Sequence, residues 1–194
     1  VIFLIKRSWV AALLVTMVGL AGNLYFGAFD HIGTGRWSLR TTVWFGIAAG
    51  IAALMMDGAI HVTLRHFLVE SYAKRFREYA NCITTNMGPP AILTGAFMAA
   101  FAEEPFFRGV LIPLFQSPAA GITVAAIAFA ACHWLSTRFL TFWFVAIYEG
   151  LMFGLLFLIS GSLLVPMIAH GIHDLCAYTI LVNSRHYSRN PEEK

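Results

Sequence analysis

The stretch "EEPFFR" sets Glu103, Glu104 and Arg108 between "GPPAILTGAFMAAFA" and "GVLIPLF", both almost wholly apolar. Two other apolar stretches also carry ionisable groups: His133 in "FAACHW", and His170, His173 and Asp174 in "AHGIHD". Carboxylates and imidazoles exchange protons near neutrality, so such a set can activate water, steady a developing charge or ligate a metal. An ionisable side chain at mid-membrane costs roughly 2.5–3.5 kcal/mol on insertion scales, which makes each one a candidate for function. The bland alternative is that buried polar groups only glue helices together. Two adjacent glutamates with three histidines exceed what such glue needs.

Helical spacing sorts these residues. Glu104 and Arg108 stand four apart, share a face and can pair, while Glu103 points about 100° away and is free for another partner. His170 and Asp174 are also four apart, and His173 shares part of their arc. Cys132 adjoins His133, but neighbours on a helix diverge by about 100°, so the two form no thiol dyad. Cys132 and Cys176 read as small packing residues. In the second span, Asp57 and His61 read equally as a structural pair or as a lining for substrate access.

The elements that must hold these groups follow from composition. The chain is 59% hydrophobic and 12% charged, against about 25% charged in soluble domains, so lipid is its main solvent. Six stretches reach the length of about 20 residues a membrane helix needs, at about 8–28, 43–65, 90–116, 119–136, 139–159 and 162–183. The expected architecture is an all-α polytopic bundle forming one integral membrane domain over residues 1–194, with the motif-bearing helices at 90–183. Between the second and third spans, Leu68, Tyr72, Phe76 and Tyr79 recur at helical spacing with Lys74, Arg75, Arg77 and Glu78 between them. That is the pattern of an amphipathic interfacial helix, and equally of a loop helix. With six spans, ten of the lysines and arginines fall on one side and only Arg36 and Arg40 on the other, which places both termini in the cytoplasm. At about 1.5 Å per residue, Glu103, His133 and the His170–Asp174 pair reach similar mid-to-cytoplasmic depths, so one shared site is expected.

In order and each in its own span, these motifs resemble the CPBP family of intramembrane proteases. That family holds the CAAX-processing endopeptidases and the bacteriocin-processing and immunity (Abi-like) proteins. Its EExxxR, FxxxH and HxxxN/D patterns correspond to Glu103 through Arg108, Phe129 to His133, and His170 to Asp174. The resemblance implies that Glu103 and His133 activate a water and that Glu104 and Arg108 form a structural pair. It implies that His170 and the residue at 174 stabilise an oxyanion. Asparagine would donate there, whereas an ionised aspartate only accepts. Asp174 is therefore expected to orient His170 or His173, with His173 on the cavity wall.

The resemblance implies an intramembrane glutamate-type endopeptidase that cuts a membrane-anchored protein or peptide, lipidated or not, near its C-terminus. The partners are this substrate and the lipid bilayer, with no nucleic acid. The location implied is a bacterial or archaeal inner membrane. No cofactor is expected. Zinc held by Glu103, His133, His170 and Asp174 is the rival chemistry. A non-catalytic immunity or scaffold protein of the same fold is the rival class. Haem ligation by His133 and His170 is a third reading, and the adjoining carboxylates argue against it.

Overall fold

The computed structural model describes residues 21, 24, 25, 27, 32, 33, 35–85 and 87–189. The first expected span, about residues 8–28, lies outside the described residues except for isolated positions. Every element among the described residues is helical, as the composition leads one to expect. Three stretches, Leu39–Leu68, Thr137–Ser160 and Leu164–Ser184, are long and apolar enough to cross a membrane.

Helix α1, Leu39–Thr84, begins at Ser38, whose side chain accepts the Thr41 N–H at 3.2 Å and satisfies one orphan donor of the first turn. It is not straight. Fifteen residues of straight helix span about 22 Å, yet the His61 and Phe76 rings lie 4.0 Å apart. The helix therefore bends sharply between them. No proline or glycine lies between His61 and Tyr72. Within the bend the Ser71 hydroxyl donates to the Leu68 carbonyl at 3.2 Å. Tyr79 stacking on Phe142 at 4.2 Å and the ion pair of Arg138 with Glu78 at 2.6 Å hold the returning arm. The arm is amphipathic as expected. Its aromatic side faces a cavity in the protein, and Lys74, Arg75 and Arg77 are exposed.

Helix α2, Pro89–Met98, runs on through two π-helical segments, Ala99–Glu103 and Pro105–Leu111, into a 3-10 turn at Ile112–Leu114. The third expected span is thus helical as far as Leu114, two residues short of its expected end, and it is wound wide where the motif lies. Pro105 has no N–H to offer the Phe101 carbonyl, and its ring crowds that carbonyl. An i→i+5 winding is the local solution, and such segments concentrate at functional sites.

Helix α3, Pro118–Cys132, has 15 residues, about 22 Å of rise against about 30 Å of hydrocarbon. It ends at His133 rather than at residue 136, because Trp134 to Ser136, apolar enough to read as helix, form the link into the turn Thr137–Phe139 and helix α4, Leu140–Ser160. Helix α5 is Leu164–Arg189.

Two glycines set the approach of these helices. A Cβ on Gly50 of α1 would lie 2.5 Å from the Ala169 carbonyl oxygen of α5, and one on Gly150 of α4 would lie 2.8 Å from the Ala126 Cα of α3. With lipid tails as apolar as leucine, such close backbone contact is what associates membrane helices.

Candidate active site

The π-wound stretch after α2 supplies three charged side chains with different surroundings. Glu104 and Arg108 are buried completely, and Glu104 Oε1 lies 2.9 Å from Arg108. The guanidinium also donates to the Gly150 carbonyl at 3.2 Å. It sits among the rings of Phe107, Phe129 and Phe153, at 5.7, 4.9 and 5.5 Å from their centroids, so π-faces supply much of its solvation. The same Glu104 oxygen accepts from His170 Nδ1 at 2.7 Å. Glu104 therefore ties α2's continuation to α5 as well as to its own Arg108.

Glu103 points elsewhere, as its spacing requires. Its carboxylate is about a fifth exposed, and Oε2 lies 3.8 Å from His133 Nε2. That is too long for a hydrogen bond and short enough for one water to touch both. Glu103 Oε2 is buried with no hydrogen-bond partner among the described residues. His133 Nδ1 lies 2.8 Å from the Phe129 carbonyl. A carbonyl only accepts, so Nδ1 carries a proton and donates it there, which turns Nε2 toward Glu103. Phe129 four residues earlier thus fixes the ring plane. The end of α3 at His133 frees the ring for this pose.

On α5, His170 Nε2 lies 3.7 Å from Asp174, while Asp174 accepts from His173 Nδ1 at the shorter 3.1 Å. His173 Nε2 lies 2.8 Å from Asp57 Oδ2 and 3.7 Å from Glu149 Oε1. The expected residues Glu103, Glu104, Arg108, His133, His170, His173 and Asp174 therefore come together in one site. Asp57 does not pair with His61. It reaches α5 instead, and His61 meets the Tyr72 hydroxyl at 3.3 Å. Glu149 had no sequence signal of its own beyond a lone carboxylate in "FVAIYEGLMFG", a stretch otherwise apolar.

Of these groups, Asp57, His133, Glu149, His170, His173 and Asp174 line a cavity of about 340 Å³ whose wall also includes the aromatic side of the α1 arm. Two phenols of that arm face it, Tyr72 and Tyr79. Burial first, and then the carboxylates of Glu149, Asp174 and Asp57, push the Tyr79 phenol well above its ordinary value, and burial and Asp57 do the same for Tyr72. Both therefore stand as neutral O–H donors.

A polytopic helical membrane protein with a chamber of carboxylates and imidazoles inside its bundle is the class this fold and site define. Residues 85–176, which carry the three motifs, are similar to the Rce1-like family, described as type II CAAX prenyl endopeptidase Rce1-like. The chain is also 26% identical over 187 residues to the "Uncharacterized protein YpbD" of Bacillus subtilis (strain 168), covering 94% of this chain and 92% of that protein. No solved structure matches the chain. At the level of the family, the match supports an intramembrane endopeptidase acting on a membrane-associated protein substrate. Proteases of this family need no cofactor, which is consistent with the expectation of none.

Proposed function

We propose that this protein is a glutamate-type intramembrane endopeptidase that cuts a membrane-tethered protein near its C-terminus. The observation that carries the reading is the Glu103–His133 pair: 3.8 Å apart, with Glu103 Oε2 lacking any partner among the described residues and His133 locked by the Phe129 carbonyl. Water between them gives its proton to the Glu103 carboxylate as its oxygen attacks the scissile carbonyl. The proton then passes from Glu103 to the departing amine. His170, tied at Nδ1 to Glu104, is the donor toward the oxyanion. Asp174 orients His170 and His173 rather than donating itself. Glu104 and Arg108 hold the stretch in place. The single membrane domain has its working helices at 90–183 and both termini in the cytoplasm, so the site is reached from the side of the α1 arm.

The test is processing in cells that lack the protein, with C-terminal peptides of membrane fractions compared after rescue by wild type or by Glu103→Ala. Wild type restores a shortened C-terminus on at least one membrane protein, and Glu103→Ala, inserted at equal level, does not. Equal rescue by both would remove Glu103 as the base and leave a scaffold of the same fold.

A further inference from the structure

The proposed chemistry uses Glu103, His133 and His170, yet the cavity that His133 and His170 line holds a second constellation that it does not use. Asp57 comes from α1, Glu149 from α4 and His173 from α5, and one ligand atom from each lies within 4.8 Å of the other two. We infer that Asp57, Glu149 and His173 form a binding site for one divalent transition-metal cation, of which zinc fits best.

Four features lead there. The distances from His173 Nε2 to Asp57 Oδ2 and Glu149 Oε1 are 2.8 and 3.7 Å. Those values bracket the ligand–ligand edge of about 3.3 Å that follows from tetrahedral bonds of about 2.0–2.1 Å. His173 Nδ1 lies 3.1 Å from the Asp174 carboxylate, so the ring has the outer carboxylate that characteristically orients a metal-bound imidazole and leaves Nε2 as the ligand. Asp57 already meets His173 through Oδ2, while its other oxygen, Oδ1, is buried with no partner among the described residues. Finally, no lysine or arginine lines the cavity among the described residues, so within it only the imidazoles stand against the carboxylates at 57, 149 and 174.

An imidazole between two carboxylates favours zinc and its neighbours over calcium or magnesium, which take oxygen alone. The Asp57, Glu149 and His173 side chains are 24%, 16% and 6% exposed, so the site is reached from the cavity but sheltered. The ion would displace the proton that His173 shares with Asp57 and would fasten α1, α4 and α5 together. The hydrolytic step passes through none of these ligands, so this site stands or falls apart from the protease reading.

The experiment uses the full chain, purified in detergent with a tag free of histidine, stripped with a chelator and titrated with zinc chloride. Bound zinc is read by elemental analysis and by the thermal unfolding midpoint. The expected result is about one zinc per chain with a raised midpoint, no such response to calcium, at least about tenfold weaker binding in Asp57→Asn and in Glu149→Gln, and undiminished binding in Glu103→Gln. Each variant is first checked for helical circular dichroism and a single elution peak. If Asp57→Asn fails that check, Glu149→Gln decides alone. Absence of saturable zinc overturns the inference, as does zinc that persists in both variants. Zinc lost in Glu103→Gln and kept in Asp57→Asn also overturns it and moves the metal to the hydrolytic pair.

Discussion

Two adjacent glutamates have opposite energetic characters. Glu104 is buried, ion-paired and hydrogen-bonded, so Glu104→Ala strands the Arg108 guanidinium in the protein interior and takes the partner from His170. Removing one member of a buried pair costs about 3–5 kcal/mol. We expect most of this variant to be lost on detergent extraction, and the surviving fraction to unfold at a clearly lower temperature. Glu103 is partly exposed and has an unpartnered oxygen. Glu103→Ala should therefore shift stability by less than about 1 kcal/mol while abolishing substrate processing. Equal stability of the two variants would show that Glu104 is not the structural member. The contrast was legible from spacing alone, since i and i+4 share a face and i+1 leaves it. That Glu104 also grips His170 was not legible, because a contact between residues 66 positions apart depends on how two helices cross.

At the scale of elements, hydropathy located the helices and missed their irregularities, and the irregularities position the chemistry. The α1 bend has neither proline nor glycine to announce it. The end of α3 at His133 is hidden by apolar Trp134 and Leu135, which belong to a link. Glu149 went unnoticed as a lone carboxylate without motif partners. The wide winding around Pro105 could have been suspected, since a proline inside a helical pattern must disturb it. It has a direct consequence. Pro105→Ala restores an N–H opposite the Phe101 carbonyl and lets the stretch relax toward ordinary α winding, which rotates Glu103 against Glu104. A misplacement of about 1 Å can cost about a hundredfold in rate. Processing should thus fall by at least tenfold, while thermal stability holds or rises. Unchanged processing would mean the winding plays no part in aiming Glu103. Gly150→Ala acts on the other wall. Its methyl would lie 2.8 Å from the Ala126 Cα, prising α3 from α4 at a cost of about 1–3 kcal/mol and displacing His133 with it. Loss of both stability and processing is the expected outcome, in contrast to Pro105→Ala.

For the molecule as a whole, the direction of access follows from where charge and cavity lie. The exposed Lys74, Arg75 and Arg77 sit on the α1 arm, and the inner face of that arm, Tyr72, Phe76 and Tyr79, walls the cavity. Arg40 stands exposed near the start of the same helix. The 30 residues of Leu39–Leu68 span about 45 Å, enough to set the two ends on opposite faces of a bilayer. Positive charge is retained on the cytoplasmic side, so the arm and the mouth of the cavity should face the cytoplasm. Single cysteines at Lys74→Cys and Arg40→Cys, in a chain whose Cys82, Cys132 and Cys176 are serine, test this with a membrane-impermeant maleimide. Lys74→Cys should label in inside-out vesicles and Arg40→Cys in right-side-out ones. The reverse pattern would turn the cavity toward the outer compartment. The client would then be sought among proteins already exported, whose peptide would meet the cavity from that side.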